Sequence, residues 1–305
     1  MITRFFFFIG LFFCRLFAEP VPFVNPHPLS DAHMNPIMDG KNERIDISYM
    51  HSSFYEDTMV QRDGQNYNRV IDFESSELSI LLKKRYKGYS ITLNGSVVYN
   101  YAGYLDDAII YVHDRTGSTG GRWRKKKEAP RNKYRFFVKD ENGNEVVSAE
   151  KVWQNKAEVF IAKEIGYDFL LRAGTRVPMK KGSSFISATD YEYSLTLQKG
   201  LEFYDIELLA DISAVWLSQD KTGLPLKDKR TTSNFYLSYD DSFFIQTNVS
   251  ESVFLKTGDR VLDQYGAIYI VGYKKNNWFI GFVEDYTLYN NPDVSVMGGI
   301  TFKKD

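Results

Sequence analysis

The sequence predicts an all-β protein, an antiparallel transmembrane β-barrel of about 12 strands of the outer-membrane type. Three observations carry this. Segments of about ten residues alternate apolar and polar side chains with period two, the connectors between them alternate short and long, and an export signal precedes them. The pattern is plainest around Gly200. Tyr191, Tyr193, Leu195 and Leu197 share one face, and Glu192, Ser194, Thr196 and Gln198 share the other. Across a turn placed at Lys199 and Gly200, Tyr204, Ile206, Leu208, Ala210, Ile212, Ala214 and Trp216 oppose Asp205, Glu207, Asp211 and Ser213. A strand this long and this acidic on one face does not suit a soluble sandwich, whereas a membrane barrel requires apolar-out, polar-in alternation.

Residues 1–18 read as a secretory signal: Arg4 supplies the basic start, Phe5 to Cys14 the apolar stretch, and Ala18 the small residue before Glu19. The apolar run is far below the ~20 residues that span a bilayer as a helix, which argues against a retained anchor. Phe13 stands before Cys14, where lipid attachment needs a small residue. Removing the signal removes the single cysteine, so the exported chain forms no disulfide and offers no thiol for catalysis or metal binding. With Arg4 and Arg15 in the signal and no acid there, the formal charge goes from -1 to -3, and nothing in it points to nucleic acid. Aromatic residues make up 16% of a chain with no apolar stretch long enough for a membrane helix, which suits interfacial girdles and leaves a soluble β-barrel as the alternative.

Residues 19–42 carry Pro20, Pro22, Pro26, Pro28 and Pro36 and show no periodicity. They are expected to form an extended segment, periplasmic or tucked into the lumen. The barrel domain is assigned to 43–305, with strands near 43–55, 69–83, 89–102, 152–163, 167–177, 187–198, 202–217, 231–239, 242–251, 263–273, 277–287 and 294–302. The short connectors, 84–88, 164–166, 199–201, 240–241 and 274–276, read as periplasmic turns. The longer ones, 56–68, 103–151, 178–186, 218–230, 252–262 and 288–293, read as outer loops. Segments 263–273 and 277–287 alternate least, because Ile268, Ile270, Phe279 and Val283 fall on the face assigned to the lumen. The last strand ends on Phe302, which resembles the terminal aromatic signal read by the barrel-insertion machinery, although Lys303, Lys304 and Asp305 follow it.

The run Gly103-Tyr-Leu-Asp-Asp107, then His113-Asp114, Gly120-Gly121-Arg122 and Pro130-Arg131-Asn132, resembles the long-loop signature of an uncharacterised bacterial family of outer-membrane-barrel-like proteins, catalogued as domain of unknown function 3187. The similarity extends from about Asn25 to Phe302 and departs at the insertion Trp123–Glu128 and at Ala129. The resemblance implies an outer-membrane barrel and brings no activity with it.

Two groups of residues carry candidate chemistry. The 103–151 loop is expected to hold a short helix over 107–113 capped by Asp106 or Asp107, a basic run, and a hairpin turning at Asn142-Gly143. Arg122, Arg124, Lys125, Lys126, Lys127 and Arg131, with Lys133 and Arg135, place eight cations in one connector. Folded inward they focus a field on a small anionic solute; left outside they face lipopolysaccharide phosphates. The plainer alternative is a solvated loop, or one salt-bridged to barrel acids. The second group is Glu158, Asp168, Arg172, Arg176, Glu192, Asp205, Glu207 and Asp211, assigned to the lumen because a midplane Arg or Lys facing lipid costs ~2–4 kcal/mol. These charges either line a solute path or lock one another into a network.

His51-Ser52-Ser53 superficially offers the His–Ser spacing of outer-membrane lipid hydrolases. Neither Glu56 nor Asp57 is placed to orient the ring, and no oxyanion element accompanies the motif, so no enzyme is expected. His27, His33 and His113 are too scattered for a metal cluster, and no Gly-rich phosphate loop opens a helix, so neither metal nor cofactor is expected. The preferred function is a channel or transport-type barrel for small solutes with an anion bias, in the outer membrane of a Gram-negative-type bacterium. The alternative is a closed barrel acting as a surface, lipid-binding or assembly component, and a lipid hydrolase comes third. The expected partners are outer-membrane lipid and the barrel-insertion machinery, and not nucleic acid.

Overall fold

The computed structural model describes residues 19–23, 26, 31, 33–62, 65–116, 129–148, 153–178, 188–219, 226–253, 266–285 and 294–304. Within them the strands are β1 (Glu43–Arg62), β2 (Gln65–Tyr86), β3 (Tyr89–Tyr101), β4 (Arg135–Lys139), β5 (Glu145–Ser148), β6 (Trp153–Gly166), β7 (Phe169–Arg176), β8 (Glu192–Phe203), β9 (Ile206–Trp216), β10 (Lys229–Tyr239), β11 (Phe243–Ser250), β12 (Gly266–Lys275), β13 (Trp278–Asp285) and β14 (Val294–Lys304), with one helix, α1 (Asp106–Thr116). Each of β1–β3 and β6–β14 pairs antiparallel with the next, and β1 also pairs with β14, which closes a 12-strand barrel. Closure leaves no open sheet edge, the condition for strands to sit in lipid.

The direction of the alternation identifies the solvent of each face. Ile45 and Ile47 on β1, Leu78, Ile80 and Leu82 on β2, Leu195 and Leu197 on β8, and Ile280 and Phe282 on β13 are exposed, while Ser194, Thr196 and Gln198 are buried. An apolar band running around the whole wall would be far larger than the patches that water-soluble monomers carry. It is the lipid face of a barrel. Leu195→Arg is therefore expected to destabilise the refolded protein by ~2–4 kcal/mol, read from the urea midpoint in lipid vesicles; an unchanged midpoint would place Leu195 off the lipid face.

Four two-residue turns, at Lys87-Gly88, Tyr167-Asp168, Tyr204-Asp205 and Asn276-Asn277, and one three-residue turn, Asp240-Asp241-Ser242, close one end. Such hairpin turns need left-handed backbone, and Lys87 (φ 48°), Tyr167 (51°), Tyr204 (54°), Asp240 (51°) and Asn276 (54°) supply it. The turn expected at Lys199 and Gly200 is corrected by this. Gly200 stays in the ladder opposite Leu209, and β8 runs on to Phe203 before turning at Tyr204-Asp205. Tyr86, Tyr89, Tyr204, Tyr239, Phe243 and Trp278 are exposed around these turns as an aromatic girdle, and Tyr49, Tyr191 and Trp216 lie toward the opposite end.

The connector expected over 56–68 is also corrected. β1 and β2 continue as a ladder to the pair Arg62–Gln65, well beyond the lipid band. Phe54, Tyr55, Val70, Ile71 and Phe73 are all buried there, on both faces, so no alternation survives for the sequence to display. The covering layer is the β4–β5 hairpin, whose Arg135–Lys139 adds to the outer part of β2 and brings Phe136 and Tyr134 onto Phe73. Its turn falls at Asn142-Gly143 as expected, with Gly143 at φ 81° and the Asp140 carboxylate accepting both Asn142 N and Asn144 N. Helix α1 begins one residue earlier than expected. Leu105 O accepts its first bond from Ile109 N, so Asp106 and Asp107 sit in the first turn, where acids complement the helix dipole. Asp106 Oδ2 accepts the Asn132 N–H at 2.6 Å and so ties the far side of the loop back to the helix.

Candidate functional site

The barrel interior is occupied by the chain's own N-terminal segment, which settles the choice between a periplasmic and a luminal position. Glu19 starts near the turn end, where its Oε2 accepts from Arg44 Nη1 at 2.8 Å and its carbonyl accepts from Lys274 Nζ at 3.0 Å. Val21 and Phe23 then pack into an apolar cluster with Met50, Phe244, Ile268, Ile270, Phe279, Val283 and Met297. This explains the weak alternation of β12 and β13: their inward residues are apolar because they face the segment rather than water.

Toward the outer ends of β6 and β7, Asp31 meets Lys156, which also donates to Glu77 Oε1 at 2.9 Å, and the Asp31 carbonyl accepts from Arg176 Nη1 at 2.8 Å. The segment then descends along the opposite wall. Glu192 Oε1 lies 2.7 Å from His33 Nδ1 and its Oε2 accepts the Met34 N–H at 2.6 Å. Arg230 Nη2 donates to Met34 O (2.7 Å) and to Asn35 Oδ1 (2.8 Å), and Asn234 Nδ2 donates to Pro36 O (3.0 Å). Gln198 brackets Asp39, accepting its N–H at 2.9 Å and donating to its carbonyl at 2.7 Å, while Lys83 pairs with the Asp39 carboxylate at 2.7 Å. Asn42 N finally donates to Glu19 Oε1 at 2.6 Å, so the two ends of the segment meet. Among its described residues, the segment thus runs inside the lumen over 19–23 and 33–42, with its turn-side ends, Glu19 and Asn42, together. Prolines suit it because much of it is bonded through carbonyls, which proline retains.

Between the two limbs, Asp31, His33, Asn35, Glu77, Lys156, Glu158 and Arg176 line a polar cavity of about 20 Å³, which is room for about one water. Among the described residues the lumen is a filled core with a polar wall (β2, β6–β11) and an apolar wall (β12–β14).

Of the charges assigned to the lumen, Glu158, Arg172, Arg176, Glu192 and Asp211 are buried inside it. Glu158 lies 3.9 Å from Arg176 and accepts from Asn94 Nδ2 at 3.1 Å; Arg172 lies 3.9 Å from Asp211 and over the Phe160 ring. Glu207 faces inward near the turns and accepts from Ser238 Oγ at 2.8 Å. Asp168 and Asp205 are corrections: both sit in two-residue turns, Asp168 beside Lys199 at 3.9 Å, because the strands expected over 167–177 and 202–217 begin only at Phe169 and Ile206. In the loop, Arg131 lies 3.5 Å from Asp107, and Arg135 pairs with Asp72 at 2.6 Å. Arg122, Arg124, Lys125, Lys126 and Lys127 lie outside the described residues.

Sequence reasoning missed the cations that hold the segment, Arg44, Lys83, Lys156 and Arg230. Alternation could have found them, since each occupies an inward position of its strand. Their partners in 19–42 gave no such signal. In the His51–Ser52–Ser53 run, Ser52 points into the lumen, where it accepts from Ser295 Oγ at 2.7 Å, and the described contacts of the His51 ring are with β2, β3 and Tyr104. Among the described residues no group of His, Cys, Asp and Glu is arranged to hold a metal ion.

The chain is a closed outer-membrane-type barrel with an occupied lumen. No family model matches it, and neither does any curated protein. Among solved structures it is similar to the COG4313 outer membrane channel from Pseudomonas putida F1, at 8% identity over 92% of this chain and 100% of that one, with a TM-score of 0.49. It is also similar to the P. putida toluene transporter TodX (8% identity, 92% and 93% covered, TM-score 0.39) and to the Acinetobacter baumannii outer membrane protein Omp33 (6% identity, 86% and 99% covered, TM-score 0.37).

Proposed function

We propose that this protein is a gated, passive transport barrel for small solutes in the outer membrane of a Gram-negative-type bacterium, with residues 19–42 as its plug. One observation carries the reading: the lumen is filled by a segment continuous with the barrel only at Glu43, and not by wall side chains reaching across. Such a segment can leave without unpicking a strand. Its contacts with the polar wall are hydrogen bonds and ion pairs that water replaces at modest net cost, about 0.5–1.5 kcal/mol for each neutral bond. Withdrawal exposes one charged and one apolar wall, a surface suited to a solute with both an anionic and an apolar part. Arg122, Arg124, Lys125, Lys126, Lys127 and Arg131 bias entry toward anions from the outer side. Export by residues 1–18, recognition of the Phe302 strand by the barrel-insertion machinery, and membership of the uncharacterised family named above belong to the same reading.

Single-channel recording tests it. The refolded parent is expected to be closed or to open rarely, deletion of 19–40 to give steady conductance, and deletion of 117–132 to reduce anion selectivity. A deletion variant that folds and carries no current would leave the barrel a sealed surface component, a reading that the density of the lumen ion pairs favours.

A further inference from the structure

The outward face of β1–β3 carries a polar cluster that transport does not use. In the β1–β2 ladder His51 lies directly opposite Ser76, and Glu74 is the next same-face residue toward the outer rim. Alternation sets all three on the lipid side, flanked by exposed Tyr49 and Leu78. His51 Nδ1 is 3.4 Å from Ser76 Oγ, and His51 Nε2 is 3.1 Å from Glu74 Oε2. Both atoms are buried and neither makes a hydrogen bond, so the two approach each other as an ion pair without hydrogen-bond alignment. The second carboxylate oxygen is fixed by the backbone, accepting Tyr104 N–H at 2.8 Å and Leu105 N–H at 2.6 Å. Gly103 permits this grip: it turns at φ 77°, and a Cβ there would overlap the Glu74 carboxyl. Two phenols complete the cluster. Tyr49 OH lies 2.9 Å from Ser76 Oγ, and Tyr101 OH lies 3.3 Å from Ser76 Oγ and 3.1 Å from His51 Nδ1.

We propose that Ser76, His51 and Glu74 form an ester-hydrolysing site on the outer face of the barrel, acting on the acyl ester of a membrane lipid. The three side chains stand in the nucleophile, base and orienting positions that hydroxyl activation requires. With Glu74 Oε2 3.1 Å from Nε2, a small rotation of the ring brings the Nε2 proton onto the carboxylate and leaves the Nδ1 lone pair for the Ser76 hydroxyl. A 3.4 Å separation is what an empty site shows before substrate tightens it. Depth matches the substrate: Tyr49 and Tyr101 lie toward the outer aromatic girdle, at the boundary between hydrocarbon and headgroups where acyl esters reside. His51 and Glu74 are covered by Tyr104 and Leu105, and half-buried Ser76 beside exposed Leu78 is the side from which a lipid ester approaches.

In the first step His51 takes the Ser76 proton as Oγ bonds to the ester carbonyl carbon, and the carbonyl π pair moves onto oxygen, where Tyr49 and Tyr101 hydroxyls donate to it. The carbon–oxygen bond to the lipid alcohol then breaks, and that alkoxide takes the proton from His51. Water, giving its proton to His51, attacks the acyl-serine; Ser76 Oγ leaves and is reprotonated. The net change is ester plus water to fatty acid plus alcohol, with no redox partner.

The inference stands apart from the transport reading, and its test uses the full refolded chain in mixed micelles. Hexadecanesulfonyl fluoride is expected to label Ser76, located by peptide mass spectrometry, and fatty acid is expected from diacyl phosphatidylethanolamine or from hexa-acylated lipid A, whichever substrate loses acyl chains naming the source. Ser76→Ala abolishes both signals, and His51→Ala lowers release by about 10²–10⁴-fold. Glu74→Gln acts through the ring, so it lowers kcat while KM stays within about two-fold. Heat-modified gel migration reports folding of each variant. A folded parent that is unlabelled at Ser76 and hydrolyses neither lipid, or labelling undiminished in His51→Ala, overturns the proposal and leaves a structural knot that merely satisfies Glu74.

Discussion

Glu192→Ala is expected to free the plug from the outer half of the lumen. The carboxylate of Glu192 meets the His33 ring, the Met34 N–H and, at 3.1 Å, the Ser218 N–H, which joins the segment to both the barrel wall and the β9–β10 connection. Alanine leaves these donors without their acceptor in a site that is fully buried. Each orphaned buried donor costs about 1–3 kcal/mol while the site stays dry. Water recovers that free energy only if the segment moves out. A shift of about 3 kcal/mol is roughly a hundredfold change in the closed-to-open ratio. The chain suits a thiol reporter because Cys14 is its only cysteine and lies within the segment assigned to the signal. Ile37→Cys, buried at the foot of the returning limb, should resist a membrane-impermeant maleimide in the parent and react at least about tenfold faster beside Glu192→Ala, with open probability rising in parallel. Glu192→Gln retains one acceptor oxygen and should fall between. Equal labelling in all three would mean that Glu192 does not clamp the segment.

The barrel was legible because lipid imposes one rule on every strand, and that rule survives in residues such as Leu195 and Ile80 wherever they sit. All 12 wall strands were placed by it. Legibility ended where a second layer covered the wall. Phe54 and Phe73 lost their alternation under the β4–β5 hairpin, and Ile268 and Phe279 broke theirs against Val21 and Phe23. The candidate site was legible by halves for the same reason. Position within a strand fixes that Glu192 and Arg176 point inward, but nothing local records that His33 and Asp31, more than a hundred residues earlier, are what they meet. The outer-face cluster is a case of register. Ser76 answers to His51 only once β1 and β2 are paired residue by residue, and a one-residue slip would send the two to opposite faces.

Lys156→Met is expected to be among the most damaging single changes in the lumen, and its rescue separates a gate from a seal. Lys156 stands between Glu77 on the wall and Asp31 on the plug, with all three side chains buried. Removing one partner of a buried ionic group costs about 3–5 kcal/mol, because the remaining charges lose their compensation without regaining water. Neutralising all three with Asp31→Asn, Glu77→Gln and Lys156→Met removes the charges together, and such exchanges are often neutral or stabilising by about 1–4 kcal/mol. The urea midpoint in vesicles should therefore fall steeply for the single variant and return to the parent value or above for the triple, a strongly non-additive result. If the triple variant remains as unstable as the single one, the loss belongs to the packing of the lysine stem rather than to its charge. If Lys156→Met costs less than about 1 kcal/mol, the value of an exposed pair, water already reaches this depth. A recovered midpoint together with lower conductance would show that charge at this contact serves release rather than stability. A plug held by ions that water can solvate departs more readily than one held by apolar packing, so the more stable triple variant should be the less open barrel.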